Sequence, residues 1–213
     1  MPGMSRGRVE AFSDGVIAVA ITLLVLDLHI SPEGKGSLAH QIGSSWPTYA
    51  SYLVTFFVIG VIWVNHHALF GLVARVDRLL LFYNLLLLLS VTTLPFTTSV
   101  LADYLRVGGG DGRLAVVLYG AVNELMALAF ALILSHMIKA DLLHEPVPRA
   151  QGRAAVRRFG LGLFVYPLVT IVGFISPPVM LVLYALTTVY YIHEQTPILG
   201  QPNPSGDSVN SPD

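Results

Sequence analysis

Residues 8–29 read RVEAFSDGVIAVAITLLVLDLH, a run that opens with charges and becomes apolar between Gly15 and Leu26. With its flanks, the run reaches the length of roughly 20 residues that a helix needs to cross the hydrocarbon of a bilayer. Charged side chains at that depth are costly, so Arg8 and Asp14 are expected to face protein or water and not lipid. The stretch therefore predicts a membrane helix with a polar flank.

One face of this predicted helix is continuous. At about 100° per residue, a sector of roughly 100° contains four side chains, which we call the seam: Val19, Thr22, Leu23 and Leu26. Asp14 lies about 140° around the helix from Val19, so the polar flank is separate from the seam. Ordinary helix packing also produces such seams, and the pattern alone assigns no function.

Composition indicates a membrane protein. Charged residues make up 12% of the chain, and the mean hydropathy is +0.68. A soluble domain has roughly 25% charged residues. The chain has no cysteine, which excludes disulfides and thiolate chemistry, and its net charge of −1 argues against nucleic acid as a partner. We therefore expect an all-α integral membrane protein with membrane lipid around it.

Turn signals divide the chain into six predicted transmembrane helices. Their expected ranges are about 8–29, 46–71, 79–104, 114–138, 159–175 and 178–193. They form one transmembrane domain, residues 1–195, and the tail at 196–213, rich in Pro, Gly, Ser and Asn, is expected to be disordered. The polar, basic segment 139–158 predicts a short surface helix.

Lysine and arginine are unevenly distributed between alternate loops. Nine fall on one side: Arg6, Arg8, Arg75, Arg78, Lys139, Arg149, Arg153, Arg157 and Arg158. Three fall on the other side: Lys35, Arg106 and Arg113. Under the positive-inside rule, both termini and the segment 139–158 are cytoplasmic, which requires an even number of helices.

A second polar group, Trp63-Val64-Asn65-His66-His67, lies in the second predicted helix. That helix returns toward the cytoplasm and reaches the depth of Ser13 and Asp14, with Asn84 near the same leaflet. Polar groups inside a membrane bundle pair with one another, so we predict one hydrogen-bonded network between helices 1 to 3. Its candidate members are Arg8, Phe12, Ser13, Asp14, Trp63, Asn65, His66, His67 and Asn84.

Metal binding and catalysis are disfavoured. Adjacent histidines point about 100° apart, and no further ligands occur at a suitable spacing, so no metal or haem site is expected. Ser13, Asp14 and His66 suggest a catalytic triad. However, Ser13 lacks a strained turn and an oxyanion-hole glycine motif, and we do not expect an enzyme.

Arg8, Phe12, Ser13 and Asp14 form the pattern RxxxFSD. The chain resembles, over roughly 8–67, a single-repeat prokaryotic member of the endosomal/lysosomal potassium channel family, the transmembrane protein 175 type. The resemblance implies a homotetrameric, potassium-selective channel in the plasma membrane of a prokaryote, with six helices per subunit, potassium as the permeant ion and no cofactor. It also implies that helix 1 lines a central pore, with constrictions at Val19, Thr22, Leu23 and Leu26.

A carbonyl filter is not available, because the chain contains no TVGYG-like sequence. Rings of seam side chains are expected to replace it, with apolar rings that exclude water and Thr22 hydroxyls that substitute for hydration. Val19 is smaller than the Ile or Leu that the family commonly has at the narrowest position, so Thr22 or Leu26 remains an alternative constriction. Leu24 is expected on the lipid-facing side.

A proton- or ion-coupled secondary transporter is the alternative function. Asp14 with His66 or His67, together with Glu124 and His136, would supply the titratable groups of a relay. Helices 1 and 4 have no midpoint broken by Gly or Pro, and no internal repeat pairs them, which argues against alternating access.

Overall fold

The computed structural model describes residues 5–29, 36–105, 107–145 and 149–193, which are mainly helical. The helices are α1 Arg6–Leu23, α2 Leu38–Ser44, α3 Trp46–Gly71, α4 Arg78–Tyr104, α5 Gly109–Lys139, α6 Arg149–Phe159, α7 Gly162–Gly173 and α8 Pro177–His193. A 3-10 turn, Leu24–Asp27, continues α1. The tail at 196–213, for which disorder was expected, lies outside the described residues.

Five segments of the described chain are long and apolar enough to cross a membrane. They are Arg6–Asp27, Trp46–Gly71, Arg78–Tyr104, Gly109–Lys139 and Gly152–Gly173. A sixth apolar helix, Pro177–Ile192, is shorter. The chain is therefore an all-helical membrane protein, as its composition indicates.

α4 lies at the centre of the helix packing. It contacts α1, α3 and α5, while α5 also packs against α7, and α8 packs against α3 and α7. One row of α4 side chains repeats every seven residues, and all of them are 0% exposed: Leu80, Leu87, Leu94 and Leu101. Residues seven apart lie on nearly the same helix face, so this leucine row anchors α4 in the core.

Two helix starts differ from those expected. α5 begins at Gly109, before the predicted start near 114, because Gly108 and Gly109 have φ of +66° and +62°, a conformation that glycine adopts readily. α2 was not predicted. Its start is capped by the Ser37 side chain, which accepts a 3.3 Å hydrogen bond from the backbone N–H of His40.

The start of α1, the α3–α4 connection and the end of α5 meet at one end of the bundle. Arg6 donates a 3.0 Å hydrogen bond to the carbonyl of Gly71, and Arg75 donates one of 3.0 Å to the carbonyl of Asp141. We call this region the basic end, because Arg6, Arg8, Arg75, Arg78 and Lys139 belong to the segments that meet there.

Candidate functional site

α1 has two distinct faces. One face, which continues into the 3-10 turn, packs against α3 and α4. Its side chains are at most 2% exposed: Val9, Ser13, Ile17, Ala20 and Leu24. The opposite face carries the seam, on which Val19 is 58%, Leu23 44% and Leu26 71% exposed. Exposed apolar side chains of a membrane helix contact either lipid or another subunit, and the seam, with its single layer of hydroxyl, is the candidate functional face.

Thr22 adds an oxygen to this apolar face. Its side chain is exposed, and its hydroxyl donates a 2.8 Å hydrogen bond to the carbonyl of Val19, one turn back on α1. The hydroxyl proton is therefore used within the helix, and the oxygen keeps lone pairs for an external donor or cation. The seam is thus mainly apolar with one layer of acceptor oxygen.

Leu24 corrects an expectation. It was predicted to face lipid, but it is only 2% exposed. The reason is that α1 packs against both α3 and α4, so the side opposite the seam faces protein. Leu24 continues the buried row of Ile17 and Ala20, at spacings of seven and four.

The far end of α1 is tied to α4. The hydroxyl of Ser99 donates a 3.1 Å hydrogen bond to the carboxylate of Asp27, which ends the 3-10 turn. A half-buried carboxylate at the end of a membrane-crossing segment is stabilised by such a partner. This contact fixes the position of the last turn, on which Leu26 lies.

The near end of α1 is held by a buried chain of three side chains. Asn84 of α4 donates a 2.9 Å hydrogen bond to the hydroxyl of Ser13, and its carbonyl oxygen pairs at 2.9 Å with Nε2 of His66 on α3. Ser13 in turn donates to the carbonyl of Val9 at 2.9 Å. One amide therefore links α1, α3 and α4, where buried polar groups are costly without partners.

A second, separate contact links α1 and α3. The indole N–H of Trp63 donates a 2.9 Å hydrogen bond to the carboxylate of Asp14, and the Trp63 ring stacks on His67 at 6.3 Å. Arg8 and Phe12 are exposed, and the Arg8 side chain makes no hydrogen bond or ion pair with the described residues. The predicted members thus form two hydrogen-bonded groups instead of one network.

Asn65 belongs to neither group. It is 7% exposed and lines a small cavity of about 50 Å³ inside the subunit. The cavity is bounded by residues of α3, α5, α7 and α8: Val58, Val61, Ile62, Asn65, Met126, Ala127, Phe130, Tyr166, Thr188 and Tyr191. Asn65 therefore points away from α1, although it is the sequence neighbour of His66.

The geometry does not form a catalytic triad. The hydroxyl of Ser13 donates to Val9 and accepts from Asn84, while Nε2 of His66 pairs with Asn84. The histidine thus has no hydrogen bond to Ser13 through which to activate it as a nucleophile. In the part of the chain that the structure describes, no three His, Asp or Glu side chains gather as metal ligands.

The titratable groups of the transporter alternative are dispersed. Asp14 and His66 belong to the two groups above, and His136 instead contacts Asp77 at the basic end, at 2.7 Å. One carboxylate oxygen of Glu124 is buried without a hydrogen-bond partner among the described residues. The described hydrogen bonds do not join these side chains into a proton relay.

Sequence reasoning missed a third polar cluster. The hydroxyl of Thr55 contacts that of Thr98 at 2.9 Å and that of Tyr119 at 3.1 Å. The hydroxyls of Thr170 and Tyr184 lie 3.3 Å apart. The available signal was hydroxyl side chains within apolar helices, which pair across membrane bundles. These contacts link α3, α4 and α5, and α7 to α8.

Sequence comparison gives the family. The profile of the endosomal/lysosomal potassium channel TMEM175 matches residues 8–95. A potassium channel of Streptomyces collinus is 46% identical over 194 residues, which cover 90% of this chain and 94% of the relative. The chain belongs to the TMEM175 family. The family membership predicted from RxxxFSD is confirmed. The family and the Streptomyces collinus relative are ion channels and not enzymes.

Solved structures agree with this membership. The crystal structure of a lysosomal potassium-selective channel TMEM175 homolog from Chamaesiphon minutus matches with a TM-score of 0.77 and 34% identity, over 88% of this chain and 96% of that one. The human endosomal/lysosomal proton channel TMEM175 is 33% identical over 112 residues, which cover 48% of this chain and 22% of the human protein. Members of the family thus carry names for two different permeant ions.

Proposed function

We propose that this protein is a potassium-selective channel in which the seam of α1 is the selectivity element. The carrying observation is that Val19, Thr22, Leu23 and Leu26 are all exposed on a helix whose opposite face is buried. Support also comes from the Streptomyces collinus and Chamaesiphon minutus relatives, which are named potassium channels. No cofactor is needed, since side chains alone would act on the ion.

A pore of this kind requires several subunits. One chain offers a single seam, so a closed ring needs cyclic symmetry around an axis beside α1. In its most apolar segment, 28% of α1 is buried within the subunit, compared with 56% for α5. The segment Gly152–Gly173 is similarly low, at 25%, so low burial leaves α1 free to contact neighbouring copies, and the seam is what selects α1 as the helix beside the axis. Family resemblance makes the number of copies four, and the proposed assembly is a homotetramer.

Selectivity would follow from the layers of the seam. Rings of Val19, Leu23 and Leu26 would present methyl groups to the ion and would exclude water when narrow. The ring of Thr22 would offer hydroxyl oxygens, because each hydroxyl proton is already donated to Val19 at 2.8 Å. Potassium gives up hydration water at a lower free-energy cost than the smaller sodium ion, so such layers favour potassium.

The polar groups have an architectural role in this proposal. The Ser13–Asn84–His66 chain and the Asp14–Trp63 contact would fix the rotation of α1 and keep the seam directed away from the subunit core. Together with the Ser99–Asp27 bond at the far end, these contacts would hold α1 at both ends and leave it little freedom to turn about its axis. The seam would therefore be preorganised before the subunits assemble.

We extend the proposal to topology and location. The chain would cross the plasma membrane of a prokaryote six times, with Pro177–His193 as the last crossing and both termini in the cytoplasm. The support is the excess of nine Lys and Arg over three between alternate loops. The contacts at the basic end, such as Arg75 to Asp141, agree with this grouping.

Flux in liposomes tests the proposal. Purified protein is reconstituted with a potassium gradient, with sodium in place of potassium as the control, and proton movement is recorded in parallel. Potassium flux that persists without a proton gradient is expected. Flux strictly tied to proton movement contradicts the channel and favours the transporter. Proton flux without potassium flux would place this chain with relatives named as proton channels.

A further inference from the structure

The basic end carries an open groove that the proposed pore does not use. It lies between the end of α5 and α6 and has a volume of about 720 Å³. Its lining, which we call the α6 groove, consists of Ser135, Ile138, Lys139, Gly152, Arg153, Ala154, Val156 and Arg157. α6 packs on α5 and lies far along the chain from the seam of α1.

The charge of the α6 groove is one-sided. Lys139, Arg153 and Arg157 are exposed, and Arg153 and Arg157, four apart, lie on one face of α6. Among the residues that the structure describes, no Asp or Glu lines the groove. Among the described residues, no carboxylate forms an ion pair with any of these three cations. Three cations held close together without a counter-ion attract an anion from outside the subunit.

The other side of the groove is apolar. Ala155 is 3% exposed and belongs to the hydrophobic core, and Val156 and Ile138 are half-buried against that core. α6 is thus attached to the bundle by its apolar face, while Arg153 and Arg157 remain exposed. The groove therefore offers cations beside a methyl surface, a combination that suits an amphipathic anion.

The depth of the groove narrows the choice of anion. Lys139 is the last residue of α5 and of the membrane-crossing segment Gly109–Lys139. A side chain at that position lies at the level where lipid headgroups begin. Basic pockets at the ends of membrane helices are suited to phosphate headgroups, and a guanidinium pairs with phosphate through two hydrogen bonds.

We infer that the α6 groove binds an anionic phospholipid, with the phosphate between Lys139, Arg153 and Arg157. Ile138 and Val156 provide apolar contacts for the start of the acyl chains. A free phosphate ion shares the charge but not the apolar contact, so the lipid is the better fit. This site is independent of the ion that the pore conducts.

Lipid retention by the full chain tests this inference. The protein is purified in a mild detergent, phosphatidylglycerol or phosphatidylcholine is added, and bound lipid is counted by native mass spectrometry. Wild type is expected to retain phosphatidylglycerol over phosphatidylcholine. The double variant Arg153→Gln/Arg157→Gln should lower phosphatidylglycerol affinity by about tenfold, because it removes two of the three cations.

Two control variants separate charge at this groove from charge in general. Arg106→Gln/Arg113→Gln removes the same charge at and just before the start of α5, remote in sequence from α6, and should leave retention unchanged. Arg153→Lys/Arg157→Lys keeps the charge and should retain most of the binding, which also verifies that changes on α6 do not unfold the chain. Equal retention by wild type and the Gln double variant overturns the inference. Competition by inorganic phosphate as strong as that by phosphatidylglycerol also overturns it.

Discussion

The side-chain nitrogen of Asn84 lies 2.9 Å from the hydroxyl of Ser13 and donates a hydrogen bond to it. The carbonyl oxygen of the same amide lies 2.9 Å from Nε2 of His66. Asn84 therefore uses both ends of one side chain to connect α4 with α1 and α3. Ser13 lies on the buried side of α1, away from the exposed seam, and in the proposed channel this contact would keep the seam directed away from the subunit core.

Ser13→Ala should destabilise the protein, because it leaves the amide nitrogen of Asn84 buried without that acceptor. A buried polar group that loses its partner costs about 1–3 kcal/mol. Thermal unfolding in detergent measures the effect. Ser90→Ala is the matched control, since the Ser90 hydroxyl is also buried but bonds only to Leu86 on its own helix, at 3.0 Å. Equal losses in the two variants would contradict an interhelical role for Ser13.

Asp14→Ala should lower the fraction of assembled tetramer, because the indole N–H of Trp63 loses its 2.9 Å acceptor. Asp14→Asn should lose less, since the amide oxygen still accepts that hydrogen bond. Size-exclusion chromatography measures assembly, and flux is recorded on the same samples. If Asp14→Ala formed a stable tetramer that conducts at no voltage and no pH, Asp14 would belong to permeation.

Asp77 should make stability depend on pH in the acid range. Burial opposes its ionisation, but hydrogen bonds from the Leu80 backbone N–H and from His136 outweigh that effect, so the pKa of Asp77 lies below its ordinary value of 3.8. A lowered folded-state pKa stabilises the protein above 3.8, and the stabilisation is lost as pH falls through the folded-state value.

Asp77→Asn isolates this contribution, because Asn also caps a helix start well. The difference in thermal stability between wild type and Asp77→Asn should shrink as pH falls below 3.8. A difference that stays constant down to strongly acidic pH, where wild type is still folded, would exclude this carboxylate as the cause.

Much of α1 could be read from the sequence. The RxxxFSD pattern gave the family, and a helical period placed Val19, Thr22, Leu23 and Leu26 on one face, which is exposed in the structure. The sequence could not predict whether the side of α1 opposite the seam faces lipid or protein. A leucine such as Leu24 is equally suited to lipid and to a protein neighbour, and hydropathy does not distinguish the two.

The polar contacts were predictable as a class but not as pairs. The predicted helix ranges placed Ser13, His66 and Asn84 at the same depth in the membrane. The direction of each side chain, which the sequence does not give, decided which of them pair. Asn65 and His66 are adjacent in sequence, yet Asn65 lines the inner cavity while His66 faces Asn84. Successive residues on a helix point about 100° apart, and the positions of α7 and α8 decide what each one meets.

Cysteine labelling should establish the orientation of the chain, since it contains no native cysteine. Ser205→Cys marks the tail. Asp111→Cys marks the first turn of α5, where the residue is exposed and, unlike Gly109, needs no positive φ. A membrane-impermeant maleimide applied to intact cells should label Asp111→Cys and not Ser205→Cys. The opposite pattern would invert the proposed topology.

The seam itself can be varied with closely matched controls. Val19→Ala pairs with Val182→Ala on α8, since both valines are 58% exposed in the subunit. Leu26→Ala pairs with Leu89→Ala on α4. Thr22→Val pairs with Thr92→Val, because the exposed hydroxyl of Thr92 also bonds to its own helix, at 2.9 Å to Leu88. Within each pair the substitution is the same, and only the helix that carries it differs.

The reversal potential with potassium inside and sodium outside tests the role of the seam most directly. Val19→Ala and Leu26→Ala should raise sodium permeation by widening a ring. Thr22→Val should lower the preference for potassium, up to roughly tenfold if the lost oxygen is worth about 1.5 kcal/mol. The control variants should match wild type. Unchanged reversal potentials for variants of Val19, Thr22, Leu23 and Leu26 alike, in channels that still conduct, would contradict the assignment of selectivity to α1.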